Sequence, residues 1–225
     1  MAQLDKKIAI VGGTGKEGKG LAYRWAKAGL PVIIGSRSEE KAVQAAAEVN
    51  NRLAVHLVSG MQNHEAVSQA DLIVLTIPFA FHREILLELK NVLQGKILVD
   101  VTVPLVPPKI TRVQMPPEGS AAQQAQAILG EDVMVVAAFQ NISYEHLMDD
   151  DEIQCDVIVC GGNKEARQQV LSLVSLAGMI GWDGGVIENS VVVEGLTSIL
   201  IGLNKQYGVQ SAGIKIVGIP RTNSQ

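Results

Sequence analysis

Short unbroken apolar runs alternate with longer stretches whose apolar positions recur every three or four residues, and this rhythm holds from Lys7 to Lys96. Residues 7–11, 32–35, 53–58, 71–77 and 96–101 are expected to form strands. The unbroken apolar character of 7–11, 32–35 and 71–77 is that of strands buried on both faces, while 53–58 is weaker. Helices are expected between them. The first covers residues 17–28, with Leu21, Trp25 and Ala28 on one face and Gly29 as its stop. A second covers 39–49 behind an N-cap at Ser38, and others cover 63–69 and 79–90. Strands alternating with helices in this way imply a parallel sheet with right-handed crossovers.

The rhythm breaks at Pro104, where five prolines between Pro104 and Pro117 demand an extended connection. A helix is expected again over 120–129 and a sixth strand over 132–139. An acidic stretch (Glu145, Asp149, Asp150, Asp151, Glu152) then marks the expected boundary between two units. The fold class is α/β: a Rossmann-type doubly wound parallel sheet over residues 1–144, and a small C-terminal α/β domain over 145–225. In the latter a strand is expected at 157–160, a helix at Lys164–Leu176 and a long apolar helix near 188–205.

Composition narrows the chemistry. Apolar residues make up 47% of the 225 and charged residues 19%, enough for a core and against disorder. The net charge of -4 argues against nucleic-acid binding, and two cysteines exclude a disulfide framework. The opening Met1-Ala2-Gln3-Leu4-Asp5-Lys6-Lys7 lacks a signal-peptide core and no apolar run is long enough to span a membrane, so a cytoplasmic protein is expected.

Glycine is enriched, and its placement carries the argument. Gly13-Thr14-Gly15-Lys16-Glu17-Gly18 matches G-x-G-x-x-G directly after the first buried strand and at the start of a helix. There the first glycine makes the turn, the second lets the backbone approach a pyrophosphate, and the third packs helix against strand. After the second strand, Gly35-Ser36-Arg37-Ser38 carries no carboxylate that would accept a ribose hydroxyl. Ser36, Arg37 and Lys41 instead suit a 2'-phosphate, so NADP(H) is expected over NAD(H).

Catalytic residues are harder to find. Tyr23 and Lys27 have the short-chain dehydrogenase spacing but fall in the first helix, where they are expected to be surface groups. His56, His64, His82 and His146 are scattered, and no metal site is expected. Cys155 and Cys160 flank a buried strand as core thiols. With no essential acid or base in view, the pattern suits hydride transfer between two bound redox cofactors, where alignment dominates.

The chain resembles the coenzyme F-420-dependent NADP oxidoreductases. The likeness is carried by Gly12-Gly13-Thr14-Gly15, Lys19-Gly20-Leu21-Ala22, Gly35-Ser36-Arg37 with Lys41, Leu75-Thr76-Ile77-Pro78, Pro117-Glu118-Gly119-Ser120-Ala121-Ala122, Val135-Val136-Ala137-Ala138-Phe139, and Glu194-Gly195-Leu196-Thr197 with Ile201-Gly202-Leu203-Asn204. The resemblance implies hydride transfer between NADPH and a deazaflavin, in a homodimer. It places Thr14, Gly15, Lys16 and Glu17 on the pyrophosphate, Ser36, Arg37 and Lys41 on the 2'-phosphate, and Ile77 and Val103 beside the nicotinamide. The deazaflavin would lie against Gln140 and Ile142. Gln140 departs from the family's pattern, which has histidine in archaeal members and often asparagine in bacterial ones; glutamine hydrogen-bonds but does not titrate. Reduction of another acceptor (a flavin, an imine, a metal chelate) and non-catalytic NADP(H) sensing remain the alternatives. Residues 191–203 are too apolar for an exposed helix and are expected to be buried, in part between subunits.

Overall fold

A computed structural model describes residues 6–220, so most of the opening stretch read for a signal peptide lies outside it. Eight strands form one sheet in the order β3-β2-β1-β4-β5-β6-β7-β8. The first six are β1 (Ile8–Val11), β2 (Val32–Ser36), β3 (Val58–Gln62), β4 (Leu72–Leu75), β5 (Ile97–Asp100) and β6 (Met134–Ala137), all parallel. Their intervening helices are α1 (Lys16–Lys27), α2 (Glu39–Leu53), α3 (Asn63–Ser68), α4 (His82–Leu93) and α5 (Ala121–Leu129). Strands β1 and β4 are buried at every position, as the unbroken apolar runs require, and β5 is buried too, including Asp100 at its end. Chain order reverses between β1 and β4, so a crevice opens beyond their carboxyl ends.

The boundary expected near residue 145 falls in the loop after β6, and the sheet continues across it. β7 (Asp156–Gly161) runs antiparallel to β6, and β8 (Ile180–Gly185) runs parallel to β7. α6 (Lys164–Leu176) connects those two strands, and α7 (Ser190–Tyr207) follows β8. The acidic loop itself is held from within. Arg24 of α1, buried, donates to the carbonyls of His146, Leu147, Asp149 and Asp151, and the Trp25 indole donates to Leu173 of α6 at 3.0 Å.

Two expectations need correction, and one strand went unread. No strand covers residues 53–58: α2 runs on to Leu53, Ala54 turns the chain at φ 53°, and the strand begins at Val58. Apolar content misled here because β3 is an edge strand of Val-Ser-Gly-Met-Gln. Its Gly60 lies so near the Ala42 backbone that a Cβ would overlap it. β8, with glycines at 181, 184 and 185, resembles a turn in sequence and is an edge strand in the fold. Tyr23 is not a surface group: it is 3% exposed, and its hydroxyl bonds Asp150 at 2.9 Å while Lys27 pairs with the same carboxylate. The Tyr23–Lys27 spacing therefore serves packing of the acidic loop.

Candidate functional site

The turn after β1 is shaped by close contacts. Gly12 has φ +71°, and a Cβ there would lie 2.6 Å from Ile77 Cγ2, at the end of β4. A Cβ on Gly18 would lie 2.5 Å from Gly13 Cα, so the third glycine lets α1 pack onto the turn. Gly15 differs: a Cβ there would meet nothing nearer than 3.8 Å, because this glycine faces open space. It is also the N-cap of α1, and no side chain caps that first turn. An uncapped helix start beside open space fits a bound pyrophosphate. Asn63, buried at the start of α3, braces the turn by accepting from the Gly12 N–H at 3.4 Å, a role its sequence position did not reveal.

Two cavities flank this turn. The smaller, about 380 Å³, is lined by Thr14, Gly15, Ser36, Arg37, Ser38 and Lys41 on one side and by α4 on the other. Ser36 Oγ accepts from the Ser38 N–H at 3.2 Å, and Ser38 caps α2 through the Lys41 N–H. The Arg37 guanidinium lies 5.6 Å over the Phe81 ring. Among the described residues, no carboxylate is within salt-bridge distance of Arg37 or Lys41. Two unpaired cations beside a hydroxyl suit a phosphate monoester.

The larger cavity, about 1020 Å³, lies beyond the carboxyl ends of β1, β4, β5 and β6 and is closed on its far side by α7. Ile77, Val103, Gln140 and Ile142 line it, together with Lys16, Glu17 and Gly18 from α1. Gly15 and Ile77 border both cavities, whereas Gly13 lines neither and instead bonds Gly35 O at 3.0 Å. The Lys16 ammonium reaches Glu145 at 3.6 Å and sits 4.8 Å over the Tyr144 ring. Glu17 has no hydrogen bond or ion pair among the described residues, and burial pushes its carboxyl up to about 8.

The loop after β6 is set by Phe139, which has φ 74°, is fully buried and meets Trp25 edge-on at 6.0 Å. Such a conformation costs on the order of 1–3 kcal/mol in a non-glycine residue and must be held by its surroundings. Gln140 then donates through Nε2 to Asp100 O at 2.8 Å, leaving Oε1 without a partner among the described residues. Asn141 donates to Val193 O and Thr197 Oγ1, and Thr197 donates to Gln140 O, tying this loop to α7.

Behind the chamber wall lies a buried polar network that the scattered histidines concealed. His82 Nε2 bonds Asp100 Oδ2 at 2.7 Å, and its Nδ1 bonds Gln124 Oε1 at 3.1 Å. Gln124 donates its amide to the Glu118 carboxylate, which fixes Oε1 toward His82. Both ring nitrogens therefore face acceptors, the arrangement of an imidazolium. Burial works to lower the His82 pKa, but the Asp100 carboxylate and the two hydrogen bonds outweigh it and raise it. Glu194 of α7, also fully buried, accepts from Ala121 and Ala122 N–H at 2.6 and 3.1 Å, capping α5. Burial and the Asp100 charge push its carboxyl up to about 8, against the pull of those amides and His82. Cys155 and Cys160 are buried thiols, both pushed up chiefly by burial.

Among the described residues no helix is long and apolar enough to cross a membrane. Residues 7–104 match the family model described as NADP oxidoreductase, coenzyme F420-dependent. An F420-dependent NADP reductase of Methanocaldococcus jannaschii is 39% identical over 95% of this chain and 99% of its own length. One from Methanothermobacter thermautotrophicus is 38% identical over 95% and 96%. A crystal structure from Arthrobacter sp. FB24, assigned as an F420-dependent NADP-reductase, superposes with a TM-score of 0.77 at 28% identity, covering 95% of this chain and all of that one. With such identity over nearly the full length of both chains, this chain belongs to the coenzyme F420-dependent NADP oxidoreductase family.

Proposed function

We propose that the protein transfers a hydride between NADP(H) and the deazaflavin coenzyme F420. The observation that carries this reading is the meeting of two cavities at Gly15, Thr76, Ile77 and Pro78, the smaller holding Ser36, Arg37 and Lys41 with neither cation in an ion pair among the described residues, the other large and mostly apolar. When both molecules are bound, nicotinamide and deazaflavin are the two termini of the hydride. Ser36, Arg37 and Lys41 hold the 2'-phosphate, the start of α1 around Thr14 to Gly18 receives the pyrophosphate, and Ile77 and Val103 border the nicotinamide. Gln140 and Ile142 border the deazaflavin, with Gln140 Oε1 free to accept a hydrogen bond because its amide nitrogen is committed to Asp100. Anaerobic mixing with NADPH and oxidised deazaflavin tests the reading. Loss of the deazaflavin's visible absorbance is expected; reduction of flavins, imines or metal chelates alone would overturn it.

Residues 145–225 contribute α7 to the deazaflavin side of the chamber, and we place a homodimer contact on the same helix. Val192, Ile199 and Leu203 fall on one face of α7 and are 70%, 50% and 37% exposed in the single chain. A second copy would cover them. Sedimentation at micromolar concentration is expected to give twice the 24.0 kDa chain mass, and a monomer would refute the contact. Soluble dinucleotide substrates go with a cytoplasmic location, which cell fractionation checks.

A further inference from the structure

Hydride transfer to a deazaflavin takes up a proton as well. NADPH, oxidised deazaflavin and one H⁺ become NADP⁺ and the dihydrodeazaflavin. The nicotinamide C–H bond breaks with its electron pair, a C–H bond forms on the acceptor ring, and the proton binds a ring nitrogen. Alignment of two rings accounts for the hydride and leaves the proton without a source.

Four titratable side chains line the large chamber: Lys16, Glu17, Tyr144 and Glu145. Three of them engage one another, since Lys16 lies 3.6 Å from Glu145 and 4.8 Å over the Tyr144 ring. Other charged groups on α1 are turned elsewhere, Lys19 to Glu48 at 2.7 Å, Arg24 to the carbonyls of the acidic loop, and Lys27 to Asp150. Glu17 stands apart from that group, with no hydrogen bond, ion pair or cation–π contact to any described residue. It shares its cavity with Ile77, Val103, Gln140 and Ile142, none of which ionises. The side chain is partly buried, and the cost of desolvating a carboxylate there pushes its pKa up to about 8, which favours the protonated form. A nearby pyrophosphate, being anionic, would strengthen that preference.

We propose that Glu17 delivers the proton that accompanies hydride transfer in the chamber, its carboxyl O–H breaking as the ring N–H forms and being restored from solvent at the open mouth. This rests on the function proposed above, and it gives the Glu17 side chain a task separate from its backbone N–H, which at the start of α1 would be available to a pyrophosphate.

The test pairs a measurement on ligand-free protein with one on turnover. Carbon-13 NMR of glutamate-labelled wild-type protein, compared with Glu17→Gln, should show one carboxyl titrating near 8 that the variant lacks. In single-turnover reduction of the deazaflavin, Glu17→Gln should slow the reaction by at least about 10²-fold, as loss of a general acid does. The wild-type solvent isotope effect should vanish with it. Glu17→Ala should regain part of the rate with added acetate, and none with chloride at equal ionic strength. A Glu17 signal titrating near the ordinary 4.5 overturns the proposal. So does a Glu17→Gln rate within threefold of wild type, which would leave hydride transfer itself intact. A wild-type protein that does not reduce the deazaflavin at all overturns the function and this role together.

Discussion

The two cavities are built in opposite ways. The smaller one sets the turns after β1 and after β2, where Arg37 and Lys41 have no ion-pair partner among the described residues, against Glu84 and Glu88 of α4. The larger one gathers residues from Gly15 to Ala212, and its walls hold charge only where it is paired or kept protonated. Recognising a phosphate needs charge that water can be exchanged from, so local loops suffice. A redox reaction between two rings needs a shaped chamber large enough for both, which only distant elements can wall.

With Glu17 in place, distorting the chamber should do the most damage. Ile142 is half-buried against the core and lines the cavity, so Ile142→Trp is expected to displace the rings. A shift of about 1 Å costs on the order of 10²-fold in single-turnover hydride transfer, with NADP⁺ affinity little changed. An unchanged rate would remove Ile142 from the chamber's working wall.

At the smaller cavity, Arg37→Asp should raise the Michaelis constant for NADPH by roughly 10- to 150-fold, the worth of a charge-assisted contact of about 1.5–3 kcal/mol, and leave that for NADH nearly alone. Equal effects on both nucleotides would show that Arg37 does not touch the 2'-phosphate, and the contrast between the cavities would fail.

The network behind the chamber predicts how stability varies with pH. Glu194, raised to about 8, contributes stability that is fully present below 4.5 and is lost as pH rises toward 8. His82, also raised, contributes stability present below 6.5 and lost as pH climbs through its folded value. Between pH 6 and 9 the protein should lose on the order of 1 kcal/mol or more, about 2–4 °C in Tm. Glu17, also raised to about 8, adds to the same slope, so Glu194→Gln should make it shallower without abolishing it, and a slope identical to wild type would mean the Glu194 carboxyl is ionised throughout.

Gln140→Ala should have the smallest effect. Loss of one hydrogen bond, about 0.5–1.5 kcal/mol, slows transfer roughly 2- to 12-fold. A loss of four orders of magnitude with both substrates still bound would give Gln140 a chemical part that a non-titrating amide beside Asp100 does not suggest.

Much of this molecule could be read from the amino acids alone, and for a physical reason. β1 and β4 are covered on both faces and apolar throughout, and β5 is apolar up to the buried Asp100 at its end, so the runs are unmistakable. The G-x-G-x-x-G turn and the Ser36-Arg37 end of β2 are contiguous, so composition and spacing carry their chemistry directly. Edge strands escaped this logic: β3 and β8 need little apolar surface, and their glycines answer to close neighbours such as Ala42 and Cys160 rather than to a turn. Tertiary structure alone decided the rest. It put Tyr23 and Arg24 under the acidic loop, brought His82 to Asp100 and Gln124 across separations of 18 and 42 residues, and closed the chamber with α7. A buried polar group is satisfied by whatever partner the packed fold brings within 3 Å, and nothing in the local sequence records which partner that will be.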